Sequence, residues 1–384
     1  MRFPEFSGEW VTKSINDLAV VIGGGTPDTT VKSYWDGEIQ WFTPSEIGKN
    51  KYVDSSLRTI TEVGLNNSSA KLLPPNTILL SSRATIGECS LSLRECATNQ
   101  GFQCLVSKKC NVDFLYYLIQ TKKKDLIRKS CGSTFLEISA NEVRKIQVSV
   151  PSDVEQQKIA ELLSLIDERI ATQNKIIEKL QSLIKGLSQQ LLSSENDWIL
   201  YRLDDLAQIK SGYSGTQVSY RTPYKVSRIE TISKHCIDIQ RIGYVECIPE
   251  SYRLNVGNIL FSNINSIQYI GNTAYLDKDY GLYHGMNLLR IIPNTTIVRP
   301  RFLHLLLCTD WAINYFQTIC NKAVSQASIN QTALGKSRFP IPPMSVQQQI
   351  CSMFELTERK LDNEQEYISC LQQQKRYLLQ KMFI

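Results

Sequence analysis

The chain has 384 residues, of which 42% are hydrophobic and 21% charged, and a formal net charge of +6. This length and composition are typical of a globular protein with two or more domains, each with its own core. No run of about 18 apolar residues occurs, which argues against a membrane-spanning helix. The N-terminus lacks an apolar signal-peptide core, so we expect a cytoplasmic protein.

Cysteine and histidine spacing predicts no metal site. The 11 cysteines include no CxxC motif, and the 3 histidines are not paired at ligand spacing. We expect reduced and mostly buried thiols.

Each half of the chain is predicted to be α+β with a β-rich core. Short apolar segments bounded by glycine, asparagine and proline predict strands at 77–81, 103–106, 259–262 and 288–292. Aromatic and apolar stretches at 114–123 and 300–314 are typical of helices. We assign Trp35 and Trp41 to the first core rather than to a stacking surface for bases.

A basic run in the first half has two interpretations. Residues 121–129, TKKKDLIRK, contain five basic side chains and one acid. Cationic side chains bind the phosphate backbone of a nucleic acid without base specificity. The alternative is a solvated helix face. The candidates for phosphate contact are Lys122, Lys123, Lys124 and Arg128.

Heptad patterns predict two long helices that form an antiparallel coiled coil. Apolar residues alternate at spacings of four and three, as in a coiled-coil seam. The predicted seam positions are Ile159, Leu163, Ile166, Ile170, Ile177, Leu180, Ile184 and Leu187 in the first helix, and Ile350, Phe354, Leu361, Ile368, Leu371 and Leu378 in the second. Two helices packed separately on their own domains are the alternative.

The helices belong to an internal duplication. Residues 150–170, VPSDVEQQKIAELLSLIDERI, align with 341–361, IPPMSVQQQICSMFELTERKL, at a constant offset of 191 residues. Residues 73–81, LPPNTILLS, align with 254–262, LNVGNILFS, at an offset of 181 residues, as loop insertions and deletions between the two segments would produce. A period this long indicates a duplicated module rather than a solenoid. The predicted segments are two globular domains, 1–150 and 196–341, and two helices, 151–195 and 342–384.

Chain connectivity predicts the direction of the helices. The first helix leads from domain one to domain two and the second leaves domain two, so a shared seam requires an antiparallel pair and a pseudo-twofold axis. A helix over 154–192 spans roughly 58 Å at 1.5 Å per residue, which equals about 17 base pairs of duplex. We therefore expect the two domains to be held a fixed distance apart.

Four motifs resemble a known family. GGGTP at 23–27, YWDGEIQWFTPSEIG at 34–48, SSRATIG at 81–87 and TNQGF at 98–102 resemble a target-recognition domain of the specificity (S) subunit of type I restriction-modification systems. The helix at 151–170 resembles that family's spacer helix, and the order of domains agrees over the whole chain. The second half departs from the pattern, with SNINSIQYIG in place of SSRATIG and YHGMN in place of TNQGF.

The resemblance implies a non-catalytic DNA-specificity subunit. Each recognition domain would read one half of a bipartite site in double-stranded DNA. The coiled coil would set the spacing and dock two methyltransferase (modification) subunits, which motor-nuclease (restriction) subunits would join. S-adenosylmethionine, ATP and magnesium are then expected on the partner subunits, with no cofactor on this chain.

Several residues are candidates for DNA contact. Arg83 lies in a loop of small residues, where its guanidinium suits guanine O6 and N7; a salt bridge beneath the loop is the alternative. Asn99 and Gln100 carry amides that suit adenine, or that form a buried turn. Thr43 and Ser45 suit phosphate or base contacts. The further candidates are Lys225, Arg228, Asn263, Asn265, Tyr283 and His284 in the second half, and Ser133, Thr134, Ser325 and Gln326 ahead of each closing strand.

We predict no catalytic residues in this chain. The amino-methyltransferase signature is absent, since Pro74 and Pro75 follow leucine and precede asparagine. GGGT at 23–26 lacks the GxGxxG spacing of a dinucleotide site. Two alternatives stay open: a nuclease or methyltransferase component with its own hidden site, and a coiled-coil scaffold that binds only proteins.

Overall fold

The computed structural model describes residues 2–132, 136–193, 198–233, 235–322 and 326–383. The chain divides into two compact units, which differ from the four predicted segments because each long helix contributes to both. Unit one contains Met1–Lys175 and Gln365–Ile384, and unit two contains Ile176–Glu364. None of the helices in these described ranges has both the length and the apolar character needed to cross a membrane.

Unit one is built on a mixed sheet core. Its strands are β1 (Val11–Ser14), β2 (Ala19–Gly23), β3 (Trp35–Phe42), β4 (Tyr52–Val53), β5 (Arg58–Ile60), β6 (Ile78–Leu80), β7 (Cys89–Ser92), β8 (Cys96–Thr98), β9 (Gln103–Ser107) and β10 (Gln147–Val150). Its helices are α1 (Ile15–Leu18), α2 (Glu62–Asn66), α3 (Val112–Thr121), α4 (Lys123–Arg128), α5 (Ala140–Arg144) and the start of α6 (Asp153–Leu191). The strands pair as β2-β9-β6-β7-β4, β5-β3-β8 and β1-β10.

Unit two repeats this plan. Its strands are β11 (Ile199–Arg202), β12 (Ala207–Ser211), β13 (Gln217–Val218), β14 (Tyr224–Val226), β15 (Gly243–Val245), β16 (Ile259–Phe261), β17 (Ile264–Asn265), β18 (Thr273–Tyr275), β19 (Leu282–Tyr283), β20 (Leu289–Pro293), β21 (Asn321–Lys322), β22 (Ala327–Ser328) and β23 (Arg338–Ile341). Its helices are the end of α6, α7 (Leu203–Leu206), α8 (Pro300–Leu307), α9 (Asp310–Ile319), α10 (Gln331–Gly335) and the start of α11 (Met344–Met382), whose end belongs to unit one. The strands pair as β12-β20-β16-β18, β13-β15-β14-β19, β17-β22-β21 and β11-β23.

The predicted duplication is confirmed element by element. The first and last strands of each globular domain pair antiparallel, β1 with β10 and β11 with β23. Ala19 and Ala207 each begin the next strand, and Ile78 and Ile259 each begin the central strand of a four- or five-stranded sheet. Both halves are therefore α+β with β-rich cores, as the apolar segments predict.

One predicted helix is divided in the structure. The apolar stretch 300–314 forms α8 and α9 rather than one helix. Thr309 separates them, because its side-chain oxygen accepts a hydrogen bond from the amide of Ala312 and caps the start of α9.

The two long helices lie antiparallel within each unit. In unit one, Ile159 and Leu163 near the start of α6 share a core with Leu378 near the end of α11. In unit two, Ile184 near the end of α6 packs on the core that contains Ile350, near the start of α11. These shared cores contradict the alternative of separately packed helices.

Burial along the helices follows the predicted seam. Every predicted seam position is buried or half-buried. Two leucines outside the seam are exposed instead: Leu165 is 62% exposed, and Leu356, 191 positions later, is 58% exposed. Lys375 of α11 pairs with Asp167 of α6 at 2.6 Å, and the Tyr117 hydroxyl donates to the same carboxylate at 2.7 Å. This network ties the end of α11 to unit one.

Candidate nucleic-acid interface

Four loops of unit one meet beyond the ends of its strands. They follow β2, β3, β6 and β8, and we define them as loop cluster one: 24–27, 43–46, 81–88 and 99–101. The parallel pairing of β3 with β8 puts two of these loops at the same sheet edge. Backbone amides link the loops, because Gly25 donates to Thr98 O (2.8 Å), Asn99 to Phe42 O (3.1 Å) and Ser82 to Gly101 O (2.8 Å).

The glycines of the GGGTP motif allow this close approach. A Cβ on Gly24 would lie 2.0 Å from the Asn99 carbonyl oxygen, and one on Gly25 would lie 2.4 Å from the backbone nitrogen of Ala70. Any other residue would push the neighbouring loop away. The motif therefore serves loop packing.

The amides of the TNQGF motif have different surroundings. The Asn99 side-chain oxygen accepts from the Gly101 amide at 2.8 Å, which fits the turn-forming alternative. Gln100 is exposed, and its oxygen accepts a hydrogen bond from the hydroxyl of Thr26. Thr26 was not among the predicted residues, and its place in the GGGTP motif was the available signal.

Thr43 and Ser45 lie on the loop after β3. The Thr43 hydroxyl donates to Glu46 at 2.6 Å and lies 3.0 Å from the Ser45 oxygen. Ser45 is exposed and Thr43 half-buried. Thr43 thus shapes the turn, while Ser45 is the more accessible hydroxyl.

Arg83 forms a surface ion pair rather than a salt bridge beneath its loop. Its Nη2 lies 2.9 Å from Oε2 of Glu137, and both side chains are more than a third exposed. Glu137 lies 54 positions away, so no local pattern in the sequence could identify it.

The basic run borders loop cluster one. Lys123 packs against Gly87 of the loop after β6 and pairs with Glu88. Arg128 pairs with Asp125 at 2.8 Å. Exposed pairs of this kind contribute about 0–1 kcal/mol, so the run is solvated while it remains next to the candidate interface.

An equivalent cluster occurs in unit two. We define loop cluster two as residues 212–217, 227–230, 263–266 and 284–287. Tyr213 donates its amide to the His284 carbonyl at 2.9 Å, and Gly285 donates to the Ser227 hydroxyl at 3.0 Å. A Cβ on Gly212 would lie 1.8 Å from the carbonyl oxygen of Gly285, so a glycine is required here as it is at Gly24.

The side chains of loop cluster two differ from those of loop cluster one. Arg228 is exposed, pairs with Glu230 at 3.4 Å, and lines a cavity of about 410 Å³ that includes Met286. Asn263 donates to the Ile329 carbonyl at 3.4 Å and Asn265 to the Ser262 hydroxyl at 3.1 Å. Met286 is a residue that the prediction missed.

Other predicted residues lie outside loop cluster two or outside the residues that the structure describes. Lys225 is exposed on β14, and Gln326 is exposed immediately before β22. Ser133, Thr134 and Ser325 lie outside the described residues.

Tyr283 and His284 are buried, so they do not belong to the candidate interface. The Tyr283 hydroxyl donates to Glu250 at 2.8 Å, and this hydrogen bond raises the pKa of Tyr283. His284 is 1% exposed and its Nε2 lies 2.9 Å from the Leu288 carbonyl oxygen. A chain motif cannot distinguish a polar ring in the core from one at the surface, and here both rings serve the fold.

Burial of His284 predicts acid sensitivity of unit two. Burial lowers the pKa of His284 from 6.5 to about 4. The unfolded chain therefore binds the proton more tightly, so this contribution to stability is complete above pH 6.5 and is lost as the pH falls towards 4. The shift corresponds to roughly 3 kcal/mol. Urea denaturation measures the free energy of unfolding at pH 7 and at pH 4.5. The decrease in this free energy from pH 7 to pH 4.5 is expected to be smaller for His284→Gln than for the unsubstituted protein. Part of the loss remains, because burial also lowers the pKa of His304. Equal losses in the two proteins would contradict this expectation.

Comparisons with known proteins agree with this duplicated architecture. The profile of the type I restriction modification DNA specificity domain matches twice, at residues 7–182 and 195–373. The type I restriction enzyme MjaIX specificity subunit of Methanocaldococcus jannaschii is 30% identical over 327 residues, which are 72% of this chain and 75% of that protein. The EcoR124I/EcoR124II specificity subunit of Escherichia coli is 28% identical over 53% of this chain and 49% of that protein.

A solved structure shows the same fold. The S subunit of a type I restriction-modification system from M. genitalium has a TM-score of 0.60 at 16% identity, covering 100% of this chain and 99% of that chain. The two profile matches together cover most of the chain, one for each structural repeat. The chain therefore belongs to the family of type I restriction-modification DNA specificity subunits.

Proposed function

We propose that each loop cluster reads one half of a bipartite sequence in duplex DNA. One observation carries this proposal. The two repeats have loop clusters at equivalent places in the fold, and the side chains of the two clusters differ. The shared backbone arrangement suits the same function, DNA binding, in both repeats. The different side chains suit recognition of different half-site sequences. The antiparallel helices then set the number of unread base pairs between the half-sites.

Individual side chains have proposed roles in this reading. In loop cluster one, Arg83 and Gln100 contact base edges, while Ser45 contacts base or phosphate. The basic run of Lys122, Lys123, Lys124 and Arg128 supplies charge along the phosphate backbone. In unit two the proposed contacts are Lys225, Arg228, Asn263, Asn265 and Gln326.

The proposed partners are two methyltransferase subunits, joined by motor-nuclease subunits. The support is a pair of exposed leucines at equivalent positions of the long helices, Leu165 and Leu356. Burial of an exposed leucine against a partner removes its apolar surface from water, and one such site per repeat suits two copies of one subunit. On this proposal the partners carry S-adenosylmethionine, ATP and magnesium.

Replacement of both leucines is expected to weaken docking without unfolding the chain. Burial of a leucine contributes about 1.5–3 kcal/mol, so Leu165→Glu with Leu356→Glu is expected to weaken methyltransferase binding at least about tenfold. Isothermal calorimetry with the purified methyltransferase subunit measures the change. Leu93→Glu, at an exposed leucine in the turn after β7, is the matched control. Unchanged affinity in the double variant would place the docking surface elsewhere.

A reconstitution experiment separates this function from a catalytic one. The purified chain, incubated alone with duplex DNA, magnesium and S-adenosylmethionine, is expected to leave the DNA intact and unmethylated. Addition of the methyltransferase subunit is expected to produce methylation at specific sites. Cleavage or methyl transfer by the chain alone would establish the catalytic alternative.

A binding measurement addresses the scaffold alternative. The complex with methyltransferase subunits is expected to bind duplex DNA with an affinity that falls steeply as salt increases, because phosphate contacts release counterions. Absence of DNA binding at low salt would instead support a scaffold that binds only proteins.

A further inference from the structure

Both repeats contain the same backbone bridge beside the loop cluster, but with different side chains. In unit one the bridge joins Arg83 and Glu137, and in unit two it joins Ile264 and Ser328. The positions correspond in the alignment of the two repeats. Ile264 follows Arg83 by 181 residues, which is the offset between segments 73–81 and 254–262. Ser328 follows Glu137 by 191 residues, which is the offset between the two long helices. Both bridges are antiparallel. The backbone pairing at this position is thus the same in both repeats, whereas the paired side chains differ in charge and polarity.

The loop that carries Arg83 is held in one conformation. The Arg83 carbonyl oxygen accepts from the Ser81 hydroxyl at 2.8 Å and from the Thr85 amide at 2.5 Å. Ala84 has a φ of 52°, a left-handed conformation that costs a residue with a Cβ about 1 kcal/mol or more. Strained backbone held by its surroundings is common where a side chain must be presented precisely. The guanidinium therefore projects from a loop whose backbone conformation is fixed.

The ion pair presents donors beside an acceptor. Arg83 Nη2 lies 2.9 Å from Glu137 Oε2, and both groups are partly exposed. Arg83 Nε is buried and has no hydrogen-bond partner in the described part of the chain. The Arg83 side chain is 43% exposed, so the Nη hydrogens that do not bind Glu137 are available to donate, next to the second carboxylate oxygen of Glu137.

This pattern matches one base pair in the major groove. A G·C pair presents the acceptors N7 and O6 of guanine beside the N4 donor of cytosine. An A·T pair presents the N6 donor of adenine towards the arginine donors and the O4 acceptor of thymine towards the carboxylate. A carboxylate near DNA is repelled by phosphates, and recognition of a donor, with rejection of pairs that lack one, would offset that cost.

We propose that Arg83 and Glu137 together read a G·C base pair in the half-site of loop cluster one. Arg83 donates to guanine O6 and N7, and Glu137 accepts from cytosine N4 and keeps the guanidinium in register. This inference rests on the proposed function. The equivalent pair, Ile264 with Ser328, does not carry these groups, so the second half-site has no G·C requirement from this position.

The test measures base preference at each position of the target. Full-length variants, each in complex with the methyltransferase subunit, are bound to a duplex library in which the first half-site is randomised and the second is fixed. The unsubstituted complex is expected to require G·C at one position of the first half-site. Arg83→Ile with Glu137→Ser, which installs the pair of unit two, is expected to reduce that preference by about 5- to 150-fold, the discrimination of one good base contact. Glu137→Gln is expected to reduce it at the same position.

A matched control lies in the same unit. Arg94 and Asp54 form an exposed ion pair at 2.7 Å beyond the other end of β8, so Arg94→Ile with Asp54→Ser makes the same chemical change away from the loop cluster. This control is expected to preserve the full base preference.

Several outcomes would overturn the proposal. An unchanged preference in Glu137→Gln would remove Glu137 from recognition. A uniform loss of affinity for all library sequences, in variants with the thermal unfolding midpoint of the unsubstituted protein, would show a phosphate contact instead. If the unsubstituted complex showed no sequence preference in the first half-site, the proposed function itself would fail, whereas a preference that includes no G·C position would overturn only the pairing of Arg83 and Glu137 with G·C.

Discussion

Exchange of residues 1–150 for the matching domain of another family member is expected to change only one half of the methylated sequence. The physical reason is that this segment closes on itself: β1 pairs with β10, with Val11 opposite Val150. Val11 and Val150 therefore lie side by side immediately before the junction at Pro151, and the sequence of α6 is unaltered. Methylation sites of the chimaeric complex, determined by methylation-sensitive sequencing, are expected to keep the second half-site and the spacing.

The reciprocal exchange provides the control. Replacement of residues 196–341, which β11 and β23 close in the same way, is expected to change only the other half-site. A chimaera in which both halves changed, or neither, would show that the two domains do not read independently.

The second large effect concerns the helix seam. Leu163→Ala is expected to destabilise unit one by about 2–5 kcal/mol, because the leucine is fully buried and its truncation leaves a cavity. Leu165→Ala, two positions along the same helix, is expected to change stability by about 0.5 kcal/mol or less, because that side chain is mostly exposed. Urea denaturation followed by circular dichroism compares the two variants.

The same pair of substitutions exists in unit two. Phe354 is buried and Leu356 is exposed, 191 positions after Leu163 and Leu165 respectively. Phe354→Ala is expected to cost about 3–5 kcal/mol, and Leu356→Ala about as little as Leu165→Ala. Similar costs at the seam and exposed positions would contradict the assignment of the seam.

The long helices and the duplication were predictable because they rest on regular spacing. Heptads identify seam residues such as Leu163 without knowledge of the partner helix. The offset of 191 residues identifies the second helix from the first. Antiparallel packing then follows from connectivity, as the shared cores of both units confirm.

The candidate interface was less predictable because it depends on pairing between distant segments. Glu137 reaches Arg83 only through an antiparallel bridge, which no local pattern encodes. His284 lies in a polar, glycine-containing segment that is typical of a surface loop, yet its ring bonds a backbone carbonyl in the core. Asn99 has the amide suited to adenine, but the turn before Gly101 uses its oxygen. Burial and turn geometry decide such cases, and both are properties of the folded chain.

The most direct test of the account is the sequence of methylated sites in a host genome, compared between cells with and without this chain. We expect a bipartite sequence, two specific segments separated by unspecified base pairs, that is methylated only when the chain is present. A continuous recognition sequence, or methylation at the same sites without the chain, would contradict it.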